Sequence, residues 1–215
     1  MRPIDELRNG DNPSQVSIAL TGDGPKERKI LRAMAGRYPQ PNDRLLWIPE
    51  AVSIYGRGNK RTQRFCGFTA LQPVKMFIGK YRICSYLVLL DYEYINPATV
   101  LDYQIDERMR ENGFNPVNIQ QLANHAFKIS CSDAAHEFDI YLVISGNIRR
   151  IEENEATLIN LNYGTNIEPE KNVIANFYRE NGISLHELIR ATSKRNLSIA
   201  FADLLAALDN IENSN

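Results

Sequence analysis

An open α/β fold, with a mostly parallel sheet flanked by helices and a helical extension at the C-terminus, is predicted by three observations. Short apolar runs alternate with segments of helical periodicity through residues 1–165, the pattern of strands joined by crossover helices. The run S-Y-L-V-L-L, residues 85–90, is almost continuously apolar, as strands covered on both faces are. Beyond it, residues 166–215 carry only helical spacing: Leu197, Phe201, Leu204, Leu208 and Ile211 fall on one side, and S-L-H-E at Ser184–Glu187 has the form of a capping box. The expected organisation is therefore an α/β domain over 1–165 and a helical subdomain over 166–215.

Taken in order, Gln15–Leu20 reads as a strand and Pro25 to Tyr38 as a helix, with Ile30, Leu31, Met34 and Ala35 on one side. Gly24 suits its N-cap, Pro25 its first position, and Glu27 the positive end of its dipole. P-Q-P-N-D breaks the chain. A-V-S-I-Y, within 48–55, predicts a second short strand, followed by the basic segment G-R-G-N-K-R-T-Q-R. Residues 69–80 read as helical, with Pro73 allowed only near a first turn. After the 85–90 strand, Pro97 is expected to open a helix that runs to Asn112 and stops at Gly113. His125–Ser130 predicts another strand. F-D-I-Y-L-V-I fits a strand or a buried helical turn equally well.

The chain has 215 residues, 43% of them apolar, which is enough for a substantial core. Its 25 basic and 26 acidic residues give a net charge of -1, so any attraction to a polyanion must come from a local patch. No apolar stretch is long enough to cross a bilayer, and the N-terminus lacks a signal peptide's hydrophobic region; the chain reads as cytoplasmic. Cys66, Cys84 and Cys131 are odd in number and lack C-x-x-C spacing, which points to reduced thiols. No hydrolase triad or P-loop pattern can be assembled.

Two acid clusters follow strands. Asp23 and Glu27 flank the Gly-Pro corner after Leu20, and Asp91 and Glu93 follow the 85–90 strand, where two residues apart on an extended chain point the same way. Ligands in such sheets sit beyond the carboxyl ends of strands. If the two strands are neighbours, the carboxylates converge on one crevice and repel unless a cation or proton intervenes, an arrangement suited to hard divalent ions. Arg57, Lys60, Arg61 and Arg64, with Lys26 in the first cluster, are the candidate phosphate contacts. His125 and His186 read as structural, whereas His136 stands beside Glu137.

G-D-G-P-K-E-R-K-I-L resembles the first motif of the Toprim superfamily, an apolar strand followed by E-G-x-[TS]-E, with Asp23 and Glu27 at the acidic positions. L-V-L-L-D-Y-E resembles the second motif, a strand ending in D-x-D, with Glu93 in place of the second aspartate. A-A-H-E-F-D-I-Y-L-V-I-S-G resembles a third segment, which puts His136 and Glu137 on matching positions and Asp139 where a glutamate is usual. The resemblance covers residues 15–150 and is nearest to the small stand-alone proteins similar to overcoming-lysogenization-defect nucleases of prokaryotic defence loci. It implies a Mg²⁺- or Mn²⁺-dependent nuclease acting on DNA or RNA with two ions, in which Glu27 and Asp91 are direct ligands, Asp23 and Glu93 the second pair, and Glu137 completes the sphere or orients a water. It also implies gating by an ATPase partner, with the C-terminal helix docking that partner or forming a homo-oligomer. The exchanged acids keep charge but change reach, which favours an alternative: a noncatalytic Toprim-like adaptor or sensor. A third reading uses the G-x-G corner as an anion cradle, against which Asp23 and Glu27 argue.

Overall fold

The computed structural model describes residues 2–3, 16–21, 25–38, 45–47, 67–81, 83–133, 136–148 and 150–214. Its strands are β1 (Arg2–Pro3), β2 (Ser17–Thr21), β3 (Leu45–Trp47), β4 (Ser85–Asp91), β5 (Pro116–Ala123), β6 (Ala126–Ser132) and β7 (Glu137–Ser145). Its helices are α1 (Pro25–Ala35), α2 (Gln72–Tyr81), α3 (Leu101–Glu111), α4 (Glu152–Tyr163), α5 (Lys171–Asn181), α6 (Leu185–Ala191), α7 (Lys194–Ala200) and α8 (Ala202–Asn213). The strands form one sheet in the order β1-β3-β2-β4-β7-β6-β5.

From β1 to β7 every pairing is parallel, whereas β7, β6 and β5 form an antiparallel meander. The sheet is thus mostly parallel, as expected, with an antiparallel edge. The physical reason lies in short connections: two residues, Asn124 and His125, join β5 to β6, too few for a crossover. F-D-I-Y-L-V-I lies in β7, at the inner edge of this meander.

Alternation along β4 divides the core. Tyr86, Val88 and Leu90 pack with the 3₁₀ turn at Gly67–Leu71, α2 and α3; Leu87 and Leu89 face the other way, onto α1 and α4. The C-terminal helices join this second layer. Leu197, Phe201, Leu204, Leu208 and Ile211 are buried in the same cluster as Leu31, Leu89 and Tyr141. The single amphipathic stretch they suggested is two helices broken at Phe201 (φ -133°, ψ 42°).

Local signals explain the boundaries. Pro25 begins α1 and Glu27 occupies its first turn. The expected box at Ser184 is present: its Oγ accepts from the Glu187 backbone N–H at 3.2 Å, and Glu187 accepts from the Ser184 N–H at 2.8 Å. The helix expected from Pro97 begins at Leu101 instead. Asn96 accounts for the shift, because its carbonyl accepts from the Thr99 N–H and its side chain from the Ala98 N–H, closing a turn around the proline. Cys84 and Cys131 are free thiols; Cys66 and the expected strand within 48–55 lie outside the described residues. No helix among the described residues is long and apolar enough to cross a membrane.

Candidate functional site at the carboxyl ends of the central strands

β2 and β4 are adjacent and parallel, with Ser17 opposite Ser85 and Thr21 opposite Leu89, so both strands end at the same edge of the sheet. The chain after β2 goes through α1 to β3 on one side; the chain after β4 leads to the β5–β7 meander on the other. Where connections diverge in this way a crevice opens beyond the strand ends.

Asp91 is the last residue of β4 and continues the alternation of Leu87 and Leu89, which directs it toward α1 and α4. Its Oδ1 accepts from the Ile151 N–H at 3.0 Å, at the entry to α4. Burial raises the Asp91 carboxyl to about 7; the Ile151 hydrogen bond opposes this, while the charges of Glu27, Glu152 and Glu93 reinforce it. Glu27 is only 8% exposed, in the first turn of α1. Residues of both sequence clusters therefore meet at one end of the sheet closely enough for their charges to repel.

Glu93 does not extend the strand as its spacing suggested. Residues Tyr92–Tyr94 form a 3₁₀ turn, so the two-residue periodicity stops at Asp91 and Glu93 is exposed. Glu137 and His136 do not join the crevice. Glu137 opens β7, and because Asp91 lies opposite Ser145 in the parallel register, Glu137 sits at the other end of the sheet, roughly 26 Å away at the usual rise per residue. There Asp133 and His136 bridge the β6–β7 hairpin, the His136 N–H donating to Asp133 Oδ1 at 2.9 Å. Asp139 is held by the Ser130 hydroxyl at 2.7 Å and Lys128 at 3.1 Å, a cross-strand pairing on β6 and β7. Asp23 and the candidate contacts Arg57, Lys60, Arg61 and Arg64 lie outside the described residues.

Two acids were missed by the sequence reading. Glu152 and Glu155, 3% and 1% exposed, stand in the first turn of α4 and face the buried side with Ala156 and Ile159. Lys26 answers them: its Nζ lies 2.7 Å from Glu155 Oε2 and 3.3 Å from Glu152 Oε1. Burial alone would lower the Lys26 pKa, but these two carboxylates outweigh it and the net shift is upward. Lys171 lies 3.7 Å from Glu152 on the outer side. A sequence signal existed: I-E-E-N-E-A sets two glutamates three apart on the same helical side as apolar residues, which buries them and requires a counter-charge.

The donor chemistry of Glu27 and Asp91, carboxylate oxygens against a repulsive background, fits a hard divalent cation. Among the described residues no group of three His, Cys, Asp or Glu side chains is arranged to hold a metal. Glu27 and Asp91 therefore form a two-carboxylate arrangement, and Asp23, expected with Glu93 as the second pair of ligands, belongs to the adjoining residues that are not described. Comparison with known proteins finds no family model that matches the chain, no curated protein similar to it and no solved structure that matches it. The class defined by the fold is an open, mostly parallel α/β sheet covered by helices on both faces, with two carboxylates drawn together near the ends of β2 and β4.

Proposed function

We propose that the protein is a Toprim-type, metal-dependent nuclease that hydrolyses phosphodiester bonds of DNA or RNA at the crevice beyond β2 and β4. The observation that carries this reading is the approach of Glu27 and Asp91, two carboxylates from separate segments, in surroundings that raise Asp91 to about 7. Bound there, Mg²⁺ or Mn²⁺ would supply Lewis acidity for attack of water on phosphorus. Glu27 and Asp91 would hold the ion, with Asp23 beside them by its place in the motif. Glu93, exposed at the mouth, is positioned for outer contacts rather than for the buried ligand set. An ATPase partner and self-association remain part of this proposal through the motif resemblance alone.

One observation favours the noncatalytic adaptor reading. Lys26 already supplies a cation to Glu152 and Glu155, so part of the buried acid is neutralised from within the chain. The two readings separate in one experiment: melting of wild type and Asp91→Asn with Mn²⁺ or Mg²⁺, alongside plasmid nicking and RNA cleavage. The nuclease reading expects metal to raise the wild-type melting temperature, by about 3 kcal/mol of stability at a hundredfold excess over Kd, and Asp91→Asn to abolish both the shift and cleavage. Identical behaviour of the two proteins in every arm overturns it.

A further inference from the structure

A groove of about 1180 Å³ opens between α1, α4, α5 and α6, on the outer side of Lys26. Its walls divide by chemistry. The half-buried Leu185 and Tyr178 supply the apolar wall, backed by the buried Ile174 and Ala33. Lys29, Arg32, Arg37 and Arg190, all exposed, supply positive charge.

Charge matching leaves Lys29, Arg37 and Arg190 in surplus among the described residues. Lys26 and Lys171 also reach the groove, but Glu152 and Glu155 already answer them. No salt bridge among the described residues joins Lys29, Arg37 or Arg190 to a carboxylate. Arg37 is moreover fixed in place: its Nη1 donates to the carbonyls of Ile189 and Thr192, each at 2.7 Å, which orients the guanidinium without cancelling its charge. In a chain whose net charge is -1, such a local excess attracts anions to this face.

The arrangement arises from α1 itself. Positions 26, 29 and 33 recur at helical spacing on one side of α1, adjacent to the side that buries Ile30, Leu31 and Met34, and Arg37 follows in the turn after its end. Packing of α6 against α1 then brings Arg190 to the same opening.

We propose that this groove is a nucleotide-binding site, in which a flat base lies on the surface made by Leu185 and Tyr178 while Lys29 and Arg190 take the phosphates. A bare phosphate would leave the apolar surface uncovered, and a neutral aromatic would leave the cations unanswered. The volume is slightly above that of ordinary small-molecule sites, about 300–1,000 Å³, which accommodates a nucleotide with its hydration. The site is independent of the metal reading, since none of these residues lies in the Glu27–Asp91 pair.

The test is thermal melting in EDTA with ADP, ATP, inorganic pyrophosphate or a single-stranded oligonucleotide, each at millimolar concentration. ADP or ATP is expected to raise the melting temperature, with affinity at least about tenfold above that of pyrophosphate, the equivalent of about 1.4 kcal/mol for the base. Lys29→Glu combined with Arg190→Glu removes the shift; both side chains are exposed, so the unliganded melting temperature stays in place. Should the double variant misfold, Arg190→Ala weakens nucleotide binding with the same sign. Asp91→Asn leaves the nucleotide shift intact, which separates this site from the crevice. Absence of any nucleotide effect, equal binding of pyrophosphate, or oligonucleotide binding that nucleotides do not displace overturns the proposal.

Discussion

Asp91 is a half-buried carboxyl with three other carboxylates acting on it, and its protonation has a definite sign. An unfolded-chain aspartate titrates near 3.8, whereas burial and three neighbouring carboxylates raise Asp91 to about 7 in the folded state. Between those values the native protein keeps a proton that the unfolded chain has lost, so this residue's contribution to stability falls as pH rises from about 4 to about 7. Below that window the two states hold the proton alike. Asp91→Asn retains an acceptor for the Ile151 N–H and removes the charge. In metal-free buffer it should stabilise the protein at pH 8 by about 1–2 kcal/mol, a figure discounted for the solvent that reaches the site, and hardly at all at pH 4. Urea melts of both proteins at the two pH values check this; a pH-independent difference would contradict it.

At the scale of elements, the loop between β7 and α4 sets the crevice. Gly146 follows β7 with φ 84°, and a Cβ there would meet Arg150 O at 2.5 Å and Arg150 N at 2.6 Å. The chain doubles back at this point, with the Gly146 N–H donating to Asn154 Oδ1 at 2.7 Å and the Asn147 and Ile148 N–H groups donating to Glu153. That doubling back is what carries the Ile151 N–H to Asp91. Gly146→Ala combines an unfavourable φ with a clash against backbone that cannot yield. It should cost about 2 kcal/mol or more and lower the urea midpoint. Loss of stability within a few tenths of wild type would mean that the loop adjusts freely.

For the whole molecule, the second helical layer is the question. Residues 166–215 carry helical periodicity by themselves, but their apolar side chains pack into the cluster that includes Leu31, Leu89 and Tyr141. Leu208, with no exposed surface, is part of that cluster. Leu208→Ala should cost about 2–5 kcal/mol and move one cooperative melting transition downward as a whole. A separate, earlier transition with the main one unmoved would show that the C-terminal helices melt as their own unit.

Sequence alone determined the elements whose periodicity is strong and local: the strands at β2 and β4, the Pro25 start of α1, the capping box at Ser184 and the helical character of the tail. It also placed Glu27 and Asp91 at strand ends, because α/β alternation implies where loops emerge. Tertiary structure decided the rest. Whether β7 ran beside β4 in parallel was settled by pairing across the sheet, and that register sends Glu137 to the far end. The burial of Glu152 and Glu155 beside Lys26, and the cationic groove beyond them, depend on helices distant in the chain meeting face to face. Local pattern encodes what a segment is; only packing, in which burial and charge act across the whole fold, decides which groups share a site.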